Sequence, residues 1–203
     1  MQRPVYFVYR ERIGYRLLRR GMDVVIALAA LVLLAPVLAA AAVAVLIDDG
    51  SPVLFRQRRV GRFERVFTIY KLRTMRHENC DDAYTTRGEG DPRVTRVGRW
   101  LRRLSIDEIP QLVNVLRGEM ALVGPRPEMP FVVSRYESWQ HVRHLVTPGI
   151  TCIWQTRCRS TIPLDRPEAT ELDLEYIRRA SPLTDGALLA RTLGAVISAR
   201  GAF

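Results

Sequence analysis

The sequence predicts a mostly α-helical α+β chain with one short β-hairpin, held at a membrane by a proline-interrupted apolar segment that either crosses the bilayer or returns as a re-entrant helical hairpin. Three observations carry this. Residues 24–47 form a run of 24 residues without a charge, with Pro36 near the middle. Both flanks of that run are basic, with Arg16, Arg19 and Arg20 before it and Arg56, Arg58, Arg59 and Arg62 after it. Beyond it, one pair of β-prone stretches is followed by several segments whose apolar residues recur at helical spacing.

A straight helix over 24–47 would be ~36 Å long, enough for a ~30 Å hydrocarbon core. Proline removes a helical hydrogen bond and crowds the preceding turn, so a break is expected at Pro36. A cleaved signal peptide fits poorly, because a long basic segment precedes the run and the chain stays apolar to Ile47. A bitopic helix would want its basic excess on one side only. A helix-break-helix hairpin that returns to the side it entered satisfies both flanks. The residues alone leave bitopic helix and hairpin both open.

The stretches 53–55 and 66–70, with Gly61-Arg62-Phe63-Glu64 between them, predict the β-hairpin. Residues 77–92 are acidic and polar, a loop. A basic amphipathic helix is expected over 94–104, with Val97, Trp100, Leu101 and Leu104 on one face against membrane or core. Val132, Tyr136, Trp139 and Val142 give similar spacing over 131–145. A helix is expected over 168–179, and Ser181-Pro182 reads as an N-cap with proline at the first helical position of a last helix ending near Ser198. The division that follows is residues 1–50, a basic segment and membrane helix, and residues 51–203, a folded domain beyond it.

Composition narrows the function. With 31 Lys+Arg against 21 Asp+Glu the chain carries +10, and Lys71 is its sole lysine. The excess lies before Asp107, since the acids and arginines from there to Phe203 balance. Such a surface suits anionic lipid, nucleic acid or a phosphorylated substrate. Cys80, Cys152 and Cys158 are odd in number and follow no disulfide framework, so a reducing compartment fits.

The chemistry concentrates at Leu104-Ser-Ile-Asp-Glu-Ile-Pro-Gln. Ser105 and Glu108 match a capping box for a helix ending at Gly118, although Pro110 makes its first turn irregular. The same residues permit another reading. Adjacent Asp107 and Glu108 can hold magnesium, which binds one or two carboxylates plus substrate phosphates. A carboxylate can also attack phosphorus and form an acyl-phosphate. Arg93, Arg96, Arg99, Arg102, Arg103 and Arg117 surround the pair, and guanidinium groups match phosphate geometry. In Val123-Gly-Pro-Arg-Pro-Glu, Pro125 and Pro127 restrict the backbone on both sides of Arg126.

Taken together, SPVLFRQRRVGR, FTIYKLRTM, RVTRVGRWLRRLSIDEIPQLVNVLRGEMALVGPRPE, VTPGIT and ELDLEYI resemble the bacterial sugar transferase family, the small monotopic phosphoglycosyl transferases. The resemblance runs from about Arg19 to Leu193 and favours the hairpin entering and leaving on the cytoplasmic side. It implies a protein of the bacterial inner membrane that transfers a sugar 1-phosphate from a UDP-sugar to a polyprenyl (undecaprenyl) phosphate and releases UMP. That reaction is the first membrane step of exopolysaccharide, O-antigen or other glycoconjugate assembly. It further implies Asp107 as nucleophile through a phosphosugar-aspartate intermediate, Glu108 helping to hold Mg2+, and Pro125, Arg126 and Pro127 at the nucleotide. Arg102, Lys71 and Arg73 are placed near the phosphates, and Asp185 is expected to pair with Arg102. The implied partners are UDP-sugar, polyprenyl phosphate and membrane lipid, with no nucleic acid; a homo-oligomer through the membrane segment is compatible with this.

Two departures stand out, because Cys152 and Cys158 occupy positions where the family usually has glycine, which bears on sugar specificity. His141 and His144, three apart with Cys152 and Cys158 nearby, raise a zinc site, against which the cysteine spacing speaks. The competing functions are a non-enzymatic, membrane-tethered binder of anionic lipid or nucleic acid, for which no RNP-like readout element is found, and an ordinary glycosyl transferase, which would release UDP.

Overall fold

The computed structural model describes residues 13–76, 90–157 and 166–197. Most of the loop expected over 77–92, together with Cys80 and Cys158, lies outside the described residues.

The apolar run sits in one helix, α1 (Ile13–Asp49), with Pro36 inside it. The break predicted at Pro36 is not seen. One proline costs one hydrogen bond, and the Ala- and Leu-rich turns on both sides are strong helix formers that carry the helix through. By length and composition α1 could cross a membrane. Its buried residues are Arg19, Asp23 and Ala27 in the first half and Ala41 and Val45 in the second, whereas Val32 and Leu33 between them are 70% and 77% exposed.

Both ends of α1 are tied to the same folded body. At one end Arg20 Nη2 donates to the Leu116 carbonyl at 2.8 Å and Asp23 Oδ1 accepts from Leu122 N at 3.1 Å. At the other, Asp48 Oδ2 accepts from Val97 N at 2.9 Å, and Arg73 Nη2 donates to the carbonyls of Asp49 (2.6 Å) and Gly50 (2.7 Å). Arg19 and Arg20, in the basic flank ahead of the apolar run, turn inward: Arg19 is buried and donates to the Val123 carbonyl, and Arg20 donates to that of Leu116. Arg16, Arg56 and Arg58 stay exposed.

The predicted hairpin forms as β1 (Leu54–Val60) and β2 (Val66–Leu72), antiparallel with Leu54 opposite Leu72 and Val60 opposite Val66. Its tip is a 3-10 turn, Arg62–Glu64, in which Phe63 (φ 53°) and Glu64 (φ 60°) both adopt left-handed backbone. A second, parallel pair was not foreseen: β3 (Ala121–Val123) beside β4 (Gly149–Thr151). Three-residue strands leave too little alternation to detect.

α2 (Arg96–Arg103) is capped by Thr95, whose hydroxyl accepts from Gly98 N at 2.9 Å. Leu101 points into the protein, while Trp100 and Leu104 are exposed. The segment 131–145 is not one helix. A single turn, α4 (Pro130–Val133), gives way to bends and then to a 3-10 helix, Gln140–Leu145. The Gln140 side chain accepts from Glu137 N at 2.8 Å, and such local side-chain bonds compete with helical ones. α3 (Leu112–Arg117), α5 (Ile153–Arg157), α6 (Pro167–Arg179) and α7 (Pro182–Ile197) complete the fold. Ser181 Oγ caps α7 through Thr184 N, as predicted.

The main core gathers Ala27, Ile69, Leu112, Val115, Met120, Leu122, Val123, Val146, Ile153, Tyr176, Ile177 and Leu188. A second cluster joins Ala41 and Val45 of α1 to Leu72 and Leu101. The strand carrying Lys71 and the helix preceding the carboxylate pair thus meet on α1.

Candidate active site

The carboxylate pair sits on a 3-10 helix, Ile106–Gln111, that leads directly into α3. Pro110 excludes a regular α-helical first turn, and the tighter 3-10 form replaces it. The expected capping box does not form. Ser105 takes left-handed backbone (φ 54°) with no side-chain cap bond. The Glu108 carboxylate turns away to meet two cations: Lys71 Nζ and Arg126 Nη2 each donate to Glu108 Oε1 at 2.8 Å. Asp107 and Glu108 are both buried. Gly118 ends α3 in the left-handed region (φ 80°), as expected.

Burial pushes the Lys71 pKa below its ordinary value, with the Glu108 carboxylate working the other way. For Arg126 burial also opposes the charge, but Glu108 outweighs it and the guanidinium is held charged. Lys71 is delivered by β2, and β2 is locked to α3 by Asn114, which is fully buried. Its Nδ2 donates to the Thr68 carbonyl at 2.7 Å and to Glu119 Oε2 at 2.6 Å, and its Oδ1 accepts from Tyr70 N at 3.3 Å.

Arg126 is delivered by a segment with four successive carbonyls pinned. Pro125 O accepts from Gly149 N at 2.9 Å, Arg126 O from Arg143 Nη2 at 2.7 Å, Pro127 O from Arg59 Nη1 at 3.1 Å, and Glu128 O from Val60 N at 2.8 Å. The prolines preset the extended backbone, and these donors fix where it lies. The approach is close enough that a Cβ on Gly149 would stand 2.1 Å from Gly124 N. Three sequence-predicted residues from separate elements, Lys71, Glu108 and Arg126, therefore meet at one oxygen, with Asp107 adjacent in the chain.

The model of the family described as bacterial sugar transferase matches residues 14–199. The chain belongs to the bacterial sugar transferase family. It is 43% identical to a Komagataeibacter xylinus undecaprenyl-phosphate glucose phosphotransferase over 91% of this chain and 37% of that one. It is 40% identical to a Caulobacter vibrioides UDP-glucose:undecaprenyl-phosphate glucose-1-phosphate transferase over 95% of this chain and 74% of that one. The exopolysaccharide production protein ExoY of Sinorhizobium fredii is 36% identical over 91% of this chain and 88% of its own. The chain thus spans well under half the length of some curated relatives it matches and most of the length of others.

In this bacterial sugar transferase the remaining expected site residues lie elsewhere around the pair. Arg73 is 3% exposed and grips the end of α1 through Asp49 and Gly50. Arg102 Nε donates to Thr74 Oγ1 at 2.7 Å. Asp185 does not pair with Arg102. It accepts from the hydroxyls of Tyr15 (2.6 Å) and Tyr176 (2.8 Å) and lies 3.8 Å from Arg19, because α7 packs beside the first turns of α1. Cys152 does not need a glycine's backbone, since among the described residues the non-glycine residues of positive φ are Phe63, Glu64 and Ser105. It packs with Trp154 and Ala169, and burial pushes its thiol up to about 12.

Arg59, Arg143 and Asn114 escaped sequence reasoning. In the sequence Arg59 reads only as part of the basic flank after the apolar run, Asn114 lies within a family-like motif that marks no role for it, and Arg143 carries no local pattern. The two neighbouring carboxylates are hard oxygen donors of the kind magnesium takes, and among the described residues they face cations that would also favour a diphosphate.

Proposed function

We propose that this chain transfers a sugar 1-phosphate from a UDP-sugar to a polyprenyl phosphate at the cytoplasmic face of the bacterial inner membrane, releasing UMP. The observation that carries this reading is the convergence of Lys71 and Arg126 on Glu108 beside buried Asp107. A neutralised carboxylate pair flanked by fixed cations is suited to displacement at phosphorus, where positioning and charge stabilisation do most of the catalysis.

In this reading an Asp107 oxygen attacks the phosphorus that bears the sugar. A new P–O bond forms to the carboxylate, and the bond from that phosphorus to the bridging oxygen breaks. UMP leaves with the bridging oxygen. A phosphate oxygen of the polyprenyl phosphate then attacks the same phosphorus, the acyl-phosphate bond breaks, and Asp107 is restored with the sugar on a lipid diphosphate. Asp107 and Glu108 would hold Mg2+, which supplies charge neutralisation at the diphosphate. Arg126, immobilised through its own carbonyl and those on either side, orients the nucleotide end, and Lys71 keeps Glu108 in place.

The membrane reading draws on α1. Both of its ends bond to one folded body, whereas the ends of a bitopic helix lie on opposite sides. The exposed middle around Val32, Leu33 and Pro36 is then the part that enters one leaflet. The Caulobacter relative's name, with its UDP-sugar donor and undecaprenyl-phosphate acceptor, supports the reaction class, and the Sinorhizobium relative's name supports a place in exopolysaccharide production.

The test incubates the detergent-solubilised full chain with undecaprenyl phosphate, magnesium and a panel of UDP-sugars. UMP release with at least one donor is expected, with a phosphosugar adduct on Asp107 by intact mass when the lipid is withheld. Release of UDP instead of UMP, or undiminished activity in Asp107→Asn, would overturn the reading. For α1, cysteine labels at residues 16 and 56 should react from one side of the membrane only.

A further inference from the structure

The tip of the β1–β2 hairpin carries a cluster that the proposed reaction does not use. Glu64, at the tip of the β1–β2 hairpin, meets His141 and His144 of the 3-10 helix Gln140–Leu145. A 3-10 helix has three residues per turn, so positions i and i+3 eclipse and both imidazoles stand on one edge. His141 Nδ1 lies 2.6 Å and His144 Nδ1 3.7 Å from Glu64 Oε1, and one ligand atom from each of the three residues lies within 4.8 Å of the others. We propose that Glu64, His141 and His144 form a binding site for zinc or a similar borderline transition-metal ion, separate from the Asp107–Glu108 pair.

Three independent features support this. The His144 side chain is 7% exposed, and its Nδ1 has no hydrogen-bond partner although it faces Glu64. A buried polar nitrogen without a partner is costly, and a metal ion relieves that cost. Next, Phe63 and Glu64 both hold left-handed backbone, which non-glycine residues seldom adopt. That backbone is what brings the Glu64 carboxylate over the histidines. Finally, Tyr136 braces both rings, stacked on His144 (interplanar 14°) and edge-on to His141 (80°).

The ligand chemistry selects the class of ion. Two imidazoles and one carboxylate suit zinc, which takes such donors at ~2.0–2.2 Å and tolerates an open fourth position, whereas magnesium and calcium prefer oxygen alone. Gathering three atoms now spread over up to 4.8 Å requires only side-chain rotation of Glu64 and His141, both partly exposed. Arg143 lies between the two histidines in sequence, and its charge is engaged by Asp173 at 2.7 Å. Since Arg143 also holds the Arg126 carbonyl, the ion would staple the hairpin tip to the turn that positions Arg126.

The test uses the full chain, free of any polyhistidine tag, stripped with chelator in detergent and titrated with zinc chloride in the presence of excess magnesium. One zinc per chain with micromolar or tighter affinity is expected. Glu64→Gln and His141→Gln, which alter partly exposed side chains and keep the fold, should each weaken binding by at least about tenfold. A variant with Cys80, Cys152 and Cys158 all changed to Ser should bind unchanged. Absence of binding up to about 0.1 mM zinc, retention of full affinity in both Glu64→Gln and His141→Gln, or loss of binding in the cysteine variant would each overturn the assignment. Thermal unfolding of each variant, measured alongside, excludes unfolding as the cause of a loss.

Discussion

Glu108 Oε1 is the point where three elements meet, so its removal tests whether that convergence matters. Its side chain is 11% exposed, Lys71 is 17% and Arg126 is 19%. Removing one partner of a buried ion pair costs about 3–5 kcal/mol, because the other charge is left unpaired. Lys71→Met leaves Glu108 with Arg126, so its expected cost is lower, about 1–2 kcal/mol. Glu108→Gln leaves two buried cations facing each other, and about 3–4 kcal/mol is expected. In the double variant only one uncompensated cation remains, so the costs should fall short of additivity by about 1–2 kcal/mol. For a chain of this size ~1 kcal/mol moves Tm by ~2–4 °C, which puts Glu108→Gln about 6–16 °C below wild type. Thermal unfolding of the four proteins in one detergent measures this, and UMP release below every Tm separates function from folding. Glu108→Gln should release UMP at least about 100-fold more slowly. Additivity within about 0.5 kcal/mol, or Glu108→Gln as stable as wild type, would refute the convergence as an energetic unit.

Other expectations follow from single positions. Gly149→Ala puts a Cβ 2.1 Å from Gly124 N, and Gly98→Ala puts one 2.2 Å from the Thr74 carbonyl oxygen. Backbone cannot yield as a side chain can, so each should cost about 3 kcal/mol or more in chemical or thermal unfolding. Gly194→Ala, in α7 with nothing within 4 Å of the new Cβ, should instead stabilise by about 0.5–1 kcal/mol. In chelator-treated protein, burial and then Arg143 push the His144 pKa down to about 4. Its folded pKa lies below the unfolded one, so its contribution is complete above about pH 6.5 and is lost as pH falls towards 4, at up to about 1.4 kcal/mol per pH unit. Glu64, His141 and Tyr136 face the same ring, and His144→Gln should flatten the slope in denaturant unfolding.

Local chemistry made much of this molecule legible before its structure. The hairpin, α6, the Ser181 cap and the Gly118 stop follow from alternation, helical spacing and turn residues, all of which act over a few positions. Lys71, Asp107, Glu108 and Arg126 stood out because motif and charge marked them. What escaped depends on contacts distant in sequence. Nothing near Arg143 shows that it will reach the Arg126 carbonyl, and nothing near Glu64 shows that the hairpin tip will land on a 3-10 helix. The expectation of one helix over 131–145 failed for a related reason. Apolar spacing survives even where local side-chain bonds and short turns replace the helix, and the spacing is then satisfied by packing rather than by helical geometry.

The basic surplus takes on a different meaning in this light. Arg19, Arg20, Arg59, Arg62, Arg73 and Arg143 each donate to main-chain carbonyls of a distant segment: Val123, Leu116, Pro127, Leu145, Gly50 and Arg126, respectively. Short helices and three-residue strands leave many carbonyls unsatisfied, and an unpaired buried carbonyl is costly. A planar guanidinium with five donors can serve one or two of them at once, which the ammonium of lysine does less well. So part of the positive charge ties together the short elements that surround the longer helices, leaving exposed residues such as Arg16, Arg56 and Arg58 for the membrane surface. The sole lysine stands apart from this network, at the one place where a compact charge meets the carboxylate pair. Lys71→Arg is therefore not conservative: the longer, forked group would compete with Arg126 for Glu108 Oε1, and UMP release should fall even though the net charge is unchanged. Wild-type activity in that variant would show that any cation suffices there.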